Sequence, residues 1–133
     1  MVGRFLLDTN TVSKLLREEP LVMRRVARVP THAMVISSVT AGELWYGLAK
    51  RAVTTRWSVV VEAFLERVDV VAFDHAAARR FGELRAVLER RGKSLASFDL
   101  QIAAHALALE RVLVSNDAAF RQVPNLRLED WCI

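Results

Sequence analysis

The sequence of 133 residues has a single cysteine and few of the residues that build turns or phosphate loops. With only Cys132 available, no disulfide can form within the chain, and this is typical of a protein from a reducing compartment. Glycine occurs five times and proline three times. No glycine-rich motif for a phosphate or a dinucleotide is present. The sequence therefore does not belong to the disulfide-stabilised secreted domains or to the nucleotide-binding proteins that depend on such loops.

Long hydrophobic runs are also missing. No apolar stretch reaches the ~20 residues that span a bilayer, and the apolar start of the chain is too short for a signal peptide. The three histidines, at positions 32, 75 and 105, follow no zinc-ligand spacing. We therefore expect a cytoplasmic protein without a zinc centre, folded as one domain over residues 1–133.

Apolar residues make up 53% of the chain, and the mean hydropathy of +0.20 is high for a soluble protein. Such a composition suits a parallel sheet that is covered on both faces, whose strands are continuous apolar runs. The apolar runs that predict strands span 3–7, 33–38, 68–73, 111–115 and 125–130.

Helical periodicity separates these predicted strands. It predicts helices over 11–17, from Pro20, from Thr40, over 55–66, over 74–91 and from the segment around Asp99. Strands that alternate with helices indicate an α/β fold with a mostly parallel sheet. In such sheets ligands bind at the carboxyl ends of the strands.

Four acidic residues fall at predicted strand ends or helix starts. Asp8 and Asp117 follow apolar strands, and Glu43 and Asp99 lie in the first turns of predicted helices. Each position also has a simpler explanation. Asp8 and Asp117 can cap the turns that follow them, "TAGE" from Thr40 to Glu43 fits a capping box, and Asp99 suits the positive end of a helix dipole.

The joint pattern of these four acids predicts a metal site. Like charges about 4 Å apart repel by about 4 kcal/mol at an effective dielectric constant of 20, and no lysine or arginine directly adjoins any of the four acids in the chain. A divalent cation would relieve the repulsion. Oxygen ligands favour Mg²⁺ or Mn²⁺ over zinc.

The charge balance of the chain points to a polyanionic partner. Lysine and arginine number 19 and acidic residues 15, which gives a net charge of +4 and a sequence pI near 10.0. A basic chain attracts nucleic acid, although any single arginine cluster can also be a solvated helix face. Magnesium held by carboxylates in a basic protein suggests phosphodiester chemistry.

Four segments carry a resemblance to a known family, in the family's order and spacing and over essentially the whole chain. The chain resembles PIN-domain ribonucleases, specifically the VapC-type toxins of bacterial toxin–antitoxin pairs. The segments are "LLDTN" (6–10), "ISSVTAGELWYG" (36–47), "FDLQIAAHAL" (98–107) and "LVSNDAAFRQVPNLRLEDW" (113–131).

This resemblance implies a three-layer α/β/α sandwich and an endoribonuclease that depends on Mg²⁺ or Mn²⁺. Asp8 and Asp99 would ligate the metal directly, Glu43 directly or through water, and Asp117 is the only acid available in its stretch. The resemblance also implies an RNA substrate, a homodimer and inhibition by a small VapB-like antitoxin.

Further residues take expected roles from the same resemblance. Residues expected to orient the carboxylates or water are Thr9, Asn10, Ser115 and Asn116. Residues expected to line an antitoxin groove or a dimer interface are Trp45, Tyr46, Leu15 and Leu16, with ordinary core packing as the alternative, favoured for the leucines.

Two other functions stay open from the residues alone. A HAD-like phosphatase also places an aspartate after its first strand, but it needs a second acid two residues later, where this chain has Asn10. A non-catalytic PIN-like RNA-binding module would need at least one missing acid, and all four positions are filled.

Overall fold

In the computed structural model, which describes residues 4–51 and 54–133, five strands form one sheet in the order β3-β2-β1-β4-β5. Each pairing along this order is parallel. The predicted α/β fold with a parallel sheet is therefore confirmed. The strands are β1 (Phe5–Leu7), β2 (Met34–Ser37), β3 (Asp69–Val71), β4 (Val112–Val114) and β5 (Leu128–Glu129).

Among the described residues, the strands are connected by six α-helices and two short 3-10 turns, Thr31–Ala33 and Ala118–Gln122. The helices are α1 (Thr9–Leu16), α2 (Pro20–Ala27), α3 (Ser38–Ala49), α4 (Arg56–Arg67), α5 (His75–Arg90) and α6 (Ser97–Leu109). Within the described parts of the chain, none of these helices combines the length and the apolar character needed to cross a membrane.

The pleat of β1 divides the core into two halves, because successive side chains of a strand point to opposite faces. Leu6 packs in a cluster with residues of α5 and α6, whereas Phe5 and Leu7 pack with residues of α1, α3 and α4. All three side chains are buried. Helices therefore cover both faces of the sheet, and the expected three-layer α/β/α sandwich is confirmed.

The order of the strands places a crevice between β1 and β4. The chain runs outward from β1 through β2 to β3 and then crosses back to β4 on the other side of β1. The loops that follow β1 and β4 diverge at this point, where ligands bind in open parallel sheets. The backbone N–H of Asp8 donates to the carbonyl of Val114 at 3.1 Å, so the two strand ends are adjacent.

Two helices begin earlier than the periodicity predicts. Helix α1 begins at Thr9 because Asp8 is its N-cap. Helix α3 begins at Ser38, where the hydroxyl of Ser37 accepts from the N–H of Val39 at 3.1 Å. Thr40 is therefore inside the helix, and the capping-box interpretation of "TAGE" is wrong.

The strands are shorter than the apolar runs. The predicted strand 68–73 stops at Val71, and the N–H of Phe73 donates to the side chain of Ser38 at 2.9 Å instead of continuing the ladder. The first strand begins at Phe5, and Gly3 lies outside the described residues. At the end of α5, Gly92 has a φ of 67°, which agrees with the predicted stop. The expectation of one domain over residues 1–133 stays a prediction.

A buried histidine links the helices that carry Glu43 and Asp99. His105 of α6 is 1% exposed, and its Nδ1 lies 2.8 Å from the hydroxyl oxygen of Ser37 at the start of α3. That oxygen also accepts from the backbone N–H of Val39 at 3.1 Å, so the side chain of His105 and the first turn of α3 share one hydroxyl group.

Burial lowers the pKa of His105, against opposing effects from the charge of Asp74 and the backbone of Ala72. A histidine whose pKa is lowered in the folded state favours folding only while it is neutral. Its contribution is present above the unfolded pKa of about 6.5 and is lost as the pH falls below that value.

We predict that His105→Leu lowers the free energy of unfolding at pH 7.5 by about 1–3 kcal/mol, because the buried hydroxyl of Ser37 loses its hydrogen-bond partner on α6. The variant should also show a weaker fall in stability between pH 6.5 and 5.5 than the parent. Urea denaturation across this pH range measures both effects, with exposed His75→Gln as the control. An unchanged pH slope in His105→Leu would contradict the assignment.

Candidate active site

The four predicted acids come from four different elements at the carboxyl edge of the sheet. Asp8 directly follows β1, and Asp117 lies in the loop after β4. Asp99 is in the first turn of α6, as predicted. Glu43 is in the second turn of α3, because that helix begins at Ser38.

Asp8 is the most buried of these carboxylates, with 6% of its surface exposed. One of its oxygens, Oδ1, accepts from the N–H of Thr11 at 2.8 Å, so its predicted capping role is confirmed. Burial raises the pKa of Asp8, hydrogen bonds from Ser115 and Thr11 oppose the rise, and the charge of Asp117 adds to it. A single carboxylate therefore both caps α1 and faces the crevice beside β4.

Asp99 lies within the electrostatic field of all the other acids. Its pKa is raised, first by burial and then by the charges of Asp117, Asp8 and Glu43. Within residues 4–51 and 54–133, no hydrogen-bond donor reaches the Asp99 carboxylate. The fold therefore brings the four acids into one neighbourhood and leaves Asp99 uncompensated there.

Glu43 is oriented by a neighbouring helix. The hydroxyl of Thr9 donates to Oε1 of Glu43 at 2.9 Å and lies 3.5 Å from the hydroxyl of Thr40. Because Thr9 directly follows Asp8, this bond holds the Glu43 carboxylate towards the start of α1.

Asp117 has its predicted role in a short turn. Its Oδ1 accepts from the N–H of Ala119 at 2.9 Å, and its own N–H donates to the hydroxyl of Ser115 at 3.0 Å. In both Asp117 and Asp8, one carboxylate oxygen accepts the hydrogen bond that caps the following turn. The simple explanation and the site explanation of these two residues are therefore compatible.

The residues expected to orient the acids divide into two pairs. Thr9 and Ser115 contact the acids or their backbone. Asn10 and Asn116 are exposed, and their side chains make no hydrogen bond to the part of the chain that the structure describes. The structure therefore supports the expected positions of Thr9 and Ser115 only.

The chemistry of the donors fits a hard divalent cation. In the arrangement shown, no three His, Cys, Asp or Glu side chains among the described residues lie close enough to form a ready ligand set. Mg²⁺ usually keeps several waters and needs only one or two carboxylates, so a looser group of acids is sufficient. Oxygen-only donors that repel one another, with Asp99 at the centre, meet that requirement.

The four residues that were expected at an antitoxin groove or a dimer interface differ in how deeply they are buried. Trp45 and Tyr46 are 47% and 66% exposed, so core packing does not explain them. Leu16 packs against the core cluster on the α1 side of the sheet, whereas Leu15 is half-buried.

Sequence reasoning missed three residues of the region around the acids. His105 is one of them, and the others are Arg17 and Trp57, whose guanidinium and ring lie 5.1 Å apart. Forty positions separate Arg17 from Trp57 in the chain, and no local pattern connects them. Only the tertiary fold brings the C-cap of α1 and the first turn of α4 together beside Glu43.

The chain is similar to known proteins over nearly its whole length. The PIN domain family model matches residues 5–126. The "tRNA(fMet)-specific endonuclease VapC" of Salmonella typhimurium is 38% identical over 130 residues, which cover 97% of this chain and 98% of that protein. The "Ribonuclease VapC" of Haemophilus influenzae is 35% identical, with coverage of 96% and 98%.

A solved structure has the same fold over nearly the whole of this chain. The crystal structure of DNA-bound VapBC from Salmonella typhimurium superposes with a TM-score of 0.88 at 38% identity. The match covers 99% of this chain and 100% of that one.

We predict that Asp99→Asn raises the melting temperature in metal-free buffer at pH 7 by a few degrees. The raised pKa means that the folded state holds its proton more tightly than the unfolded state. Stability is therefore lost as the pH rises above about 3.8 and the carboxyl ionises. Thermal melts between pH 3 and 7 measure the effect, with Glu62→Gln on the exposed face of α4 as the control. A gain of equal size at pH 3, or a loss at pH 7, would count against carboxylate repulsion.

Proposed function

Because this chain belongs to the PIN-domain family, and within it to the VapC ribonucleases, we propose that it hydrolyses RNA with Mg²⁺ or Mn²⁺ at its four acids. The observation that carries this site is the position of the four acids at one edge of the sheet, where the charges of Asp117, Asp8 and Glu43 add to burial in raising the pKa of Asp99. Carboxylates that repel one another at a strand crevice are ligands for a hard cation. Family membership also removes the phosphatase alternative.

The four acids take different parts in the proposal. Asp8 and Asp99 are direct ligands, Glu43 is a ligand directly or through water, and Asp117 completes the group. A bound divalent cation supplies the Lewis acidity that activates water and stabilises charge on the phosphoryl group.

The chain's own contribution is to hold these oxygens in place. The hydroxyl of Thr9 orients Glu43 through its 2.9 Å hydrogen bond. The N–H of Thr11 fixes Oδ1 of Asp8, and the hydroxyl of Ser115 also bonds this carboxylate. The hydroxyl of Ser115 in turn accepts from the N–H of Asp117, whose carboxylate is fixed by the N–H of Ala119. Three of the four carboxylates are therefore oriented before substrate arrives.

The partners follow from the named relatives. The Salmonella relative is named as an endonuclease for tRNA(fMet), and the superposed structure is a VapBC complex. We infer that this chain is the toxin of a type II toxin–antitoxin pair, that it cleaves RNA, and that a VapB-like antitoxin inhibits it. We also infer a homodimer that acts in the cytoplasm, where RNA substrates are abundant.

We predict that Asp99→Asn lowers the rate of metal-dependent RNA cleavage by at least about 100-fold, a loss typical for one electrostatic contact to a reacting group. Cleavage of total cellular RNA with Mg²⁺ or Mn²⁺, followed on denaturing gels, measures it. Glu62→Gln should cleave at the parent rate. Normal turnover by a folded Asp99→Asn protein would refute the assignment, and no cleavage by the parent would favour the non-catalytic module.

We also predict that millimolar Mn²⁺ raises the melting temperature of the parent protein, because an ion that binds only the folded state stabilises it. Asp8→Asn should lose most of this shift. Asparagine still accepts from the Thr11 N–H, so the helix cap survives. Calorimetry with and without Mn²⁺ tests this, and an identical shift in Asp8→Asn and the parent would contradict a metal role for Asp8.

A further inference from the structure

A small groove lies beside the acids on the α1 side of the sheet. Helices α1, α3 and α4 enclose a cavity of about 190 Å³, which we call the α1/α3/α4 groove. Thr9 and Glu43 line one part of it, so the groove is continuous with the proposed active site. Pockets for drug-sized ligands measure ~300–1,000 Å³, and this smaller space has room for a single base rather than for a whole small-molecule ligand.

Two arginines give the groove a positive character. Arg17 and Arg51 both line it and are both exposed. Over the described ranges 4–51 and 54–133, neither forms an ion pair with a carboxylate. The acid in the groove, Glu43, is already bonded to Thr9. The guanidinium groups are therefore available to an anionic ligand.

Arg17 is held in place by an aromatic ring. Its guanidinium lies 5.1 Å from the centre of the Trp57 ring, which also lines the groove. A cation–π contact of this kind restrains the planar guanidinium and leaves its N–H donors for phosphate oxygens. An arginine ordered in this way loses less side-chain entropy when it binds an anion.

The wall of the groove has room for a flat group. Gly47 lines the groove, and a Cβ built on it would meet no heavy atom within 4 Å. This position is inside α3, where a glycine is less favourable than a residue with a side chain. An open wall beside Trp57 suits the close approach of a base.

We propose that the α1/α3/α4 groove binds one nucleotide of the RNA adjacent to the scissile bond. The backbone phosphate lies against Arg17 and Arg51, and the base lies against the wall of Gly47 and Trp57. The inference rests on the proposed function, because it assigns a substrate position at the same site. Two free cations next to acids that act on phosphodiesters favour RNA over a peptide segment as the occupant.

The first test removes the two charges. The paired variant Arg17→Gln/Arg51→Gln, in an Asp99→Asn background that preserves the RNA, should bind a five-nucleotide single-stranded RNA at least about 10-fold more weakly than Asp99→Asn alone. The slope of log affinity against log salt should fall by about 0.7 for each phosphate that is no longer neutralised by an arginine. The matched control is Arg24→Gln/Arg67→Gln, which removes the same charge from exposed residues outside the groove. Fluorescence anisotropy at several salt concentrations measures both quantities.

The second test fills the groove without changing charge. Gly47→Leu should weaken binding of the same RNA at least about 10-fold, whereas Gly82→Leu, on the exposed face of α5 outside the groove, should bind as the parent does. Both substitutions raise helix propensity, so the fold is expected to survive, and circular dichroism verifies it. In the cleaving protein, Gly47→Leu should raise KM more than it lowers kcat.

The results of these tests distinguish a failure of the nucleotide site from a failure of the proposed RNA cleavage. If the parent cleaves RNA but the groove variants bind RNA as the controls do, the nucleotide site is wrong and the proposed function stands. If the variants keep RNA affinity and lose affinity for an antitoxin, the groove is a peptide site and the proposal is overturned. If the parent cleaves no RNA while the groove variants still lose RNA affinity, the groove is supported and the catalytic proposal fails.

Discussion

Repulsion among the carboxylates around Asp99 is the constraint on which the rest of this structure depends. The acids come from four separate elements, and only the order of the strands brings them together at the crevice between β1 and β4. The parallel sheet, buried on both faces, supplies the stability that offsets this unfavourable arrangement. Gathering these acids at one crevice therefore lowers the stability of the fold when nothing neutralises them.

Local hydrogen bonds allow the acids to serve structure and function together. Asp8 caps α1 and Asp117 caps a short turn, each through one oxygen. Capping positions a carboxylate rigidly, because the donor is a backbone N–H whose place is set by the helix itself. The hydroxyl of Thr9 likewise fixes the carboxylate of Glu43, which lies on a different helix.

The charges of the molecule are segregated around this centre. The chain is basic overall, with a net charge of +4, yet its crevice is acidic. Arg17 and Arg51 lie at the border, in the groove that continues from Glu43. In the proposed complex, these cationic side chains hold the phosphate backbone of the RNA beside the acids.

The amino-acid sequence by itself determined the α/β class and the positions of the four acids near strand ends and helix starts, because these follow from local periodicity and motif spacing. It also indicated that Asp8 caps the helix that follows it. Helix starts were less accurate, since Ser37 rather than Thr40 caps α3. Only the tertiary structure decided that Thr9 bonds Glu43, that His105 bonds Ser37 and that Arg17 stacks on Trp57. These contacts join residues more than 30 positions apart, and side-chain packing between helices leaves no periodic trace in the chain.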